Sequence, residues 1–269
     1  MCGIAGQYCL DSKGPDTKLL SVMSERLIHR GPDGEGTHIS GPVALAHRRL
    51  AIIDLSDDGL QPMTSENGKH WLVFNGEIYN FVELRQELIE KGHCFHSKSD
   101  TEVILHAYEE WGHECLNRFN GMWAFALWDE GRQELFCARD RFGIKPFYYT
   151  NTGNTFLFAS EIKALLAHPA VGTKPDDAVL GTYLAWGVLD HSERTMFEGV
   201  LQLKPAHAMV VTRNGAQPPF RYWDVKVNPE IRSSLSDADV ASKFNALLQD
   251  ATSIHLRSDV AVGTCLSGG

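Results

Sequence analysis

Apolar residues along the chain fall into short runs that predict strands and into longer stretches with helical spacing. Residues Cys2–Cys9 form a short apolar run interrupted by glycine, which predicts a buried first strand. A helix is predicted next, because apolar side chains then recur three or four positions apart, at Leu19, Leu20, Met23, Leu27 and Ile28. The chain is therefore expected to open with a strand followed by a helix.

Polar residues interrupt the following apolar runs where strands are expected to end. Val43–Ala46 and Leu50–Ile53 are strand-like runs on either side of His47-Arg48-Arg49. Trp71–Phe74 is another such run, and it stops at Asn75-Gly76, a dipeptide typical of turns. The pattern predicts that these polar residues stand at strand ends.

Two helices are predicted from their first residues. Asn80 and Ser99 each suit an N-cap, and each precedes a glutamate at the third helical position, Glu83 and Glu102. An antiparallel meander is predicted by four aromatic and β-branched runs, at Met122–Trp128, Leu135–Ala138, Pro146–Tyr149 and Phe156–Ala159. The first two hundred residues are thus expected to be strands packed between helices, an α+β arrangement.

A polar, proline-bearing stretch separates this part from a short C-terminal tail. We place a domain at residues 2–218, a linker at 219–235 and the start of a second domain at 236–269. In the tail, Ser236 is expected to cap a helix, and Val260–Leu266 is expected to form a strand. One helix and one strand cannot bury their own apolar surfaces, so the tail is expected to be the beginning of a longer domain.

Composition narrows the classes of function. The 269 residues include 43% hydrophobic residues, and 25 basic against 34 acidic residues give a net charge of −9. No basic block is present for a nucleic acid, and no apolar stretch approaches the ~20 residues of a membrane span or follows a signal-peptide pattern. A soluble, cytoplasmic protein is expected. Metal binding is not expected, because the six cysteines lack paired Cys/His spacing.

Cys2 is the leading candidate for a nucleophile. If Met1 is removed, the thiol and a free α-amine stand on one residue, and the amine, with an ordinary pKa of about 8, can act as base for a thiol of about 8.5. The alternative is a small buried side chain in the first strand. The mature protein is therefore expected to begin at Cys2. A protein that retains Met1 is expected to be inactive.

Several motifs, taken in order and spacing, resemble the class II glutamine amidotransferase domain in the form found in asparagine synthetases. The resemblance is dense from Cys2 to about Ala167, weakens to Trp223 and returns at Ser258–Gly269. The motifs are Cys2-Gly-Ile-Ala-Gly6, His29-Arg-Gly-Pro-Asp-Gly34, His47-Arg-Arg-Leu50, Asn75-Gly-Glu-Ile-Tyr-Asn80, Ser99-Asp-Thr-Glu102, Arg139-Asp-Arg-Phe-Gly-Ile-Lys-Pro-Phe-Tyr148 and Ser160-Glu-Ile-Lys163.

This resemblance implies a fold and a set of site residues. The fold is the four-layer αββα sandwich of N-terminal-nucleophile hydrolases, followed by an incomplete α/β domain of the ATP-pyrophosphatase type. Arg49 would bind the α-carboxylate of glutamine, and Glu77 and Asp100 its α-ammonium. Asn75 and Gly76 would form the oxyanion hole.

Each of these residues also has a simpler interpretation. A solvated surface arginine is the alternative for Arg49, although it fits the adjacent Arg48 better. In the simpler interpretation, Glu77 is an acidic residue in a turn, and Asp100 complements the dipole of a helix. Asn75-Gly76 is then an ordinary turn.

The end of the chain resembles the start of a pyrophosphate-binding loop. Leu266, Ser267, Gly268 and Gly269 follow a predicted strand, and such a loop would hold ATP with Mg²⁺ in a complete protein. A flexible tail is the alternative. The glutaminase half would need no cofactor.

The resemblance implies a glutamine-dependent asparagine synthetase. It would hydrolyse L-glutamine and use the ammonia for ATP-dependent amidation of aspartate. The acceptor could instead be a sugar acid, a peptide or a β-lactam precursor. Two further alternatives are a self-processing N-terminal-nucleophile hydrolase and a non-catalytic module. A homodimer is a possible assembly, which the sequence does not decide.

Overall fold

A computed structural model describes residues 1–11, 13–227 and 235–264. Six α-helices lie within these residues: α1 Thr17–Glu25, α2 Phe81–Glu90, α3 Asp100–Trp111, α4 Ile162–Leu165, α5 Asp177–Trp186 and α6 Asp237–His255. The strands are β1 Gly3–Cys9, β2 Gly34–Ser40, β3 Val43–Arg49, β4 Met63–Thr64, β5 His70–Ile78, β6 Gly121–Asp129, β7 Glu134–Arg139, β8 Tyr148–Asn151, β9 Thr155–Ala159, β10 Leu201–Gln202, β11 His207–Thr212, β12 Gly215–Ala216 and β13 Phe220–Arg221. The first strand and the first helix are therefore confirmed, with small shifts at their ends. The predicted meander is wrong, because its four strands form two hairpins, β6-β7 and β8-β9, that belong to different sheets.

The strands form two antiparallel sheets. The first has the order β10-β8-β9-β1-β3-β2, with β1 in its middle. The second has the order β12-β11-β7-β6-β5-β4, and β13 also pairs with β11. Register is set on both sides of β1, where Ala5 lies opposite Ala46 of β3 and Ala159 of β9. The residue before β1 is thereby held next to the end of β3.

Apolar side chains fill three interfaces between four layers. Between the sheets, residues such as Ile4 and Tyr8 pack with Trp128 and Cys137. Helices α1 and α4 cover the outer face of the first sheet, and α2 and α3 cover that of the second. The predicted αββα sandwich is confirmed.

The expected turn at Asn75-Gly76 is wrong, because β5 continues through both residues to Ile78. Asn75 lies opposite Ala124 and Gly76 opposite Trp123 in the ladder with β6. A Cβ at Gly76 would stand 2.2 Å from the carbonyl oxygen of Met122. The glycine therefore permits close approach of two strands rather than a reversal of the chain.

The expected strand at Leu50–Ile53 is also wrong, because β3 ends at Arg49. The Leu50 amide donates to the Cys2 thiol, and the chain then bends at Asp54, which has a positive φ of 57°. Ile52 and Ile53 are apolar because they line a pocket rather than because they pair in a sheet.

Helices α2 and α3 begin where predicted, but Asn80 makes no side-chain cap hydrogen bond and Glu102 binds residues before the cap. The side chain of Asn80 instead binds the Arg118 carbonyl and the Asn120 amide. Ser99 caps α3 by accepting from the Thr101 amide, while the Glu102 carboxylate turns back to the loop before the helix. These side chains fix neighbouring loops, a tertiary role that local patterns do not reveal.

The C-terminal segment differs in part from its prediction. Helix α6 begins with the predicted Ser236 cap, which is reciprocal with Asp239. The expected strand is not formed over residues 260–264, which pair with none of the described strands. Leu266, Ser267, Gly268 and Gly269 lie outside the described residues. In the part of the chain that is described, no helix is both long and apolar enough to cross a membrane.

Candidate active site

A pocket opens where the start of β1, the end of β3, the second half of β5 and the first turn of α3 meet. Its empty space is about 560 Å³, its solvent-open mouth included. Every glutaminase residue predicted from the sequence lines it. The lining residues are Met1, Cys2, Arg49, Leu50, Ile52, Ile53, Gly59, Gln61, Phe74, Asn75, Gly76, Glu77, Ser99, Asp100, Thr101 and Lys145.

The Cys2 thiol is held at the pocket wall by the backbone of Leu50. Its Sγ accepts from the Leu50 amide at 3.4 Å and donates to the Leu50 carbonyl at 3.6 Å. Arg30 Nε donates to the Cys2 carbonyl at 2.9 Å and fixes the peptide. Burial raises the pKa of the Cys2 thiol, so the nucleophilic thiolate requires a base.

Arg49 is almost completely buried at the end of β3. Nη1 donates to the carbonyl of Ser56 at 2.7 Å, and Nη2 donates to the carbonyl of Asp54. Gly59 lies so close to the guanidinium that an added Cβ would collide with Nη2. Two of the five guanidinium N–H groups are thus used by the loop, and the others can bind an anion in the pocket.

Asn75 carries a polar side chain that has no partner among the described residues. Its Nδ2 and Oδ1 are both buried, and neither makes a hydrogen bond to the residues that the structure describes. The preceding residue is fixed by His47, whose Nε2 lies 3.1 Å from the Phe74 carbonyl and whose pKa is lowered by burial to about 3. His47 is therefore neutral, and the strand presents a fixed, unpaired amide to the pocket.

Two acids lie beside this amide. Asp100 Oδ2 accepts from the Ile78 amide at 2.9 Å, while burial, followed by the nearby charge of Glu77, raises the Asp100 pKa to about 7. Burial also raises the pKa of Glu77, opposed by the charge of Lys145. A cation bound between the two carboxyl groups would stabilise both charges.

Lys145 lines the pocket and was not among the predicted site residues. Burial lowers its pKa, against the charges of Glu77 and Cys2. Its position depends on Asp140, a fully buried carboxylate that accepts from the backbone amides of Trp123, Phe142, Ile144 and Lys145. The sequence contained a signal, since both residues fall in the Arg139–Tyr148 motif, but the motif alone gave neither a role.

Comparison with known proteins shows to which family the chain belongs. A family profile described as "Glutamine amidotransferase domain" matches residues 1–223. The chain belongs to this family. The amidotransferase domain includes both sheets, and its matched residues contain every described candidate site residue.

Relatives of this amidotransferase domain carry different names. Asparagine synthetase (glutamine-hydrolyzing) 3 of Bacillus subtilis (strain 168) is 40% identical over 272 residues, covering 100% of this chain and 44% of the relative. Amidase chry2 of Gibberella zeae is 36% identical over 254 residues, covering 93% of this chain and 37% of the relative. The chain thus spans less than half the length of either protein.

A solved structure shares the fold. Glutamine phosphoribosylpyrophosphate amidotransferase from B. subtilis, complexed with ADP and GMP, aligns with a TM-score of 0.61 at 21% identity. The alignment covers 84% of this chain and 50% of that chain. The N-terminal-nucleophile fold predicted from the motifs is thereby confirmed.

Proposed function

We propose that this domain hydrolyses L-glutamine at Cys2 and that the released ammonia serves an ATP-dependent amidation in the complete protein. The observation that carries the proposal is the unpaired Asn75 amide in the same pocket as the Cys2 thiol. A buried amide without a partner costs stability, which is understandable if a reacting oxygen supplies the missing partner.

The charges around the pocket match the two ends of an amino acid. The free N–H groups of Arg49 would bind the α-carboxylate in a bidentate manner. Glu77 and Asp100 would bind the α-ammonium, which would also lower the raised pKa of Asp100. The side-chain amide of glutamine would then point to Cys2. A self-processing hydrolase would have no use for such a charge pair.

Hydrolysis would proceed through a thioester. The Cys2 thiolate attacks the amide carbon, and the resulting oxyanion accepts hydrogen bonds from Asn75 Nδ2 and the Gly76 amide. The intermediate expels the amide nitrogen, which takes one proton and leaves as ammonia. Water then attacks the thioester, releasing glutamate and the thiol.

The proton in this sequence would come from the α-amine of Cys2. That group takes up the thiol proton and delivers it to the leaving nitrogen. It exists as an amine only when Met1 is absent, because otherwise the Cys2 nitrogen is part of a peptide bond. Burial lowers the pKa of the terminal amine present here, that of Met1, and the same surroundings would favour a neutral base on Cys2.

The experiment is glutamate release from glutamine by protein beginning at Cys2. Cys2→Ala should abolish release, whereas Cys94→Ala, at an exposed thiol, should leave it unchanged. A protein retaining Met1, verified by mass spectrometry, should be inactive and should not be labelled at Cys2 by a glutamine-mimicking electrophile. Normal turnover by Cys2→Ala, or by protein with Met1 in place, would overturn the mechanism.

Aspartate is the acceptor we infer for the complete protein. Asparagine synthetase relatives cover the whole chain and support this choice. In that protein, residues including Leu266, Ser267, Gly268 and Gly269 would bind ATP with Mg²⁺, aspartate would be adenylated, and ammonia would displace AMP. Amidase relatives make another carboxylate the second candidate. Incubation of the full-length protein with glutamine, ATP and aspartate should yield asparagine; amidation of only a sugar acid, peptide or β-lactam precursor would refute aspartate.

A further inference from the structure

Three metal-binding side chains converge away from the pocket, where the chain after α2 crosses the second half of α3. His93 Nδ1 lies 3.2 Å from His106 Nδ1. The carboxylate of Glu109 places Oε2 at 3.0 Å from His106 Nδ1 and 3.8 Å from His93 Nδ1. All three atoms could therefore contact one small ion.

These separations match those of a tetrahedral metal site. Zinc lies about 2.0–2.2 Å from nitrogen and oxygen ligands, so two ligands of one tetrahedron stand about 3.3–3.5 Å apart. The three distances scatter around that value by less than half an ångström. We propose that His93, His106 and Glu109 bind a divalent transition-metal ion, for which Zn²⁺ is the probe.

Side chains on the far side of each proposed ligand favour the orientation that a metal ion would require. His106 Nε2 faces Glu102 Oε1 at 3.7 Å, and His93 Nε2 faces Glu110 Oε2 at 3.4 Å. His70 Nδ1 lies 3.3 Å from the second oxygen of Glu109. Carboxylates on the outer ring nitrogens favour the tautomer whose Nδ1 lone pairs point inward, the usual arrangement behind metal-bound histidines.

The fourth position would be open to solvent or to a small ligand. His93 and Glu109 line a surface depression together with His70, Tyr108 and Asp129. Arg132 also lines it and is directed to Asp129, its partner at 3.8 Å. Three protein ligands with one open position describe a site that accepts an ion without further rearrangement.

The cluster is separate from the proposed glutaminase site. His106 and Glu109 lie six and nine residues after Asp100 on α3, about 9 and 13 Å along the axis. His70 begins β5, and Asn75 is five residues further along the strand. A bound ion would therefore tie the segment that holds His93 to α3 without contacting the reacting atoms.

His106 lies between the carboxylates of Glu102 and Glu109. Although burial opposes the charged imidazole, Glu102 and Glu109 raise the pKa of His106 to about 9. His93, on the facing segment, and His70, at the start of β5, are the other titratable groups close to Glu109.

Calorimetric titration of chelator-stripped full chain with Zn²⁺ tests the site. A Cys2→Ala/Cys94→Ser background removes the two described thiols that solvent reaches. One equivalent of zinc should bind, and His93→Asn or His106→Asn should weaken binding by at least the order of 10- to 100-fold typical of a lost outer partner. His191→Asn, at an exposed histidine, is the matched control and should bind normally.

Cobalt(II) gives an independent readout of geometry, since tetrahedral coordination produces a strong visible absorption. Circular dichroism checks that each variant is folded. If the buried His106→Asn variant does not fold, His93→Asn carries the test, because His93 is only partly buried. Absence of zinc uptake, or equal uptake by His93→Asn and His191→Asn, would overturn the proposal and leave a proton-linked ion-pair cluster.

Discussion

Replacing Asp100 by asparagine should make the protein more stable and less active. The asparagine oxygen can still accept the hydrogen bond from the Ile78 amide, which the Asp100 carboxylate accepts at 2.9 Å. The substitution therefore removes a charge while it preserves shape and the backbone contact. Its effects on stability and on glutamine use can be measured on the same protein.

The effect on stability follows from the pKa of Asp100. Burial, followed by the charge of Glu77, raises this pKa from 3.8 to about 7. The folded protein holds the proton to higher pH than the unfolded chain does, so stability is lost as the pH rises from about 4 through about 7. About three pKa units at 1.36 kcal/mol each correspond to about 4 kcal/mol lost above pH 7. Asp100→Asn should recover up to this amount.

Urea unfolding of the variant and the parent at pH 4 and pH 8.5 measures the difference. The variant should gain little at pH 4 and up to about 4 kcal/mol at pH 8.5. The exposed Asp250→Asn on α6 is the matched control and should follow the parent at both pH values. A gain of the same size at both pH values, or a loss at pH 8.5, would refute the assignment of a strained buried charge to Asp100.

Activity should move in the opposite direction. A hydrogen bond to a charged group contributes about 1.5–3 kcal/mol, so loss of the contact with the α-ammonium should lower kcat/KM for glutamine between about 10- and 100-fold. Steady-state glutamate release by protein beginning at Cys2 measures this change in kcat/KM. Unchanged kcat/KM in Asp100→Asn would remove Asp100 from the substrate site.

Three further predictions test other parts of the pocket. Asn75→Ala should lower kcat for glutamate release about 100- to 1,000-fold with little change in KM. Its free energy of unfolding should not fall through a lost hydrogen bond, because the Asn75 amide has no partner among the described residues. Arg49→Lys should raise KM on the order of 10-fold or more, whereas Arg48→Lys, whose parent pairs with an exposed glutamate, should change it little. Asp259→Ala removes an acceptor of the Asp54 amide at 2.7 Å and should raise KM several-fold and speed hydrogen exchange in the loop that holds Arg49, measured by mass spectrometry.

The sequence is informative where one local pattern decides the structure. The run from Cys2 to Cys9 forms β1 because apolar residues on a central strand are buried on both faces, and all of Gly3–Cys9 are buried. Ser99 begins α3 because its hydroxyl binds the Thr101 amide, a contact between residues two positions apart. Motif order also located the pocket residues, although it did not say which atoms meet.

Contacts between distant segments could not be predicted in this way. Lys145 enters the pocket because Asp140 gathers four backbone amides, three of them in its own loop and one on β6. His93 and His106 are 13 positions apart, a spacing that suggests no metal site until the chain after α2 folds back on α3. Such arrangements depend on packing of whole elements, and a single sequence does not encode them as spacing.

Asn75 shows why the wrong prediction of a turn within β5 falls at a residue of the candidate site. Asn-Gly favours turns because both residues tolerate positive φ, and that preference is overruled here by nine paired positions with β6. The strand then buries an amide that the folded protein leaves unpaired, beside an aspartate whose charge is disfavoured by burial. Both features lower the stability of the domain, and both would be compensated by an oxyanion and an ammonium group bound in the pocket. A local rule therefore fails at the residue to which the proposed mechanism assigns the oxyanion as its partner.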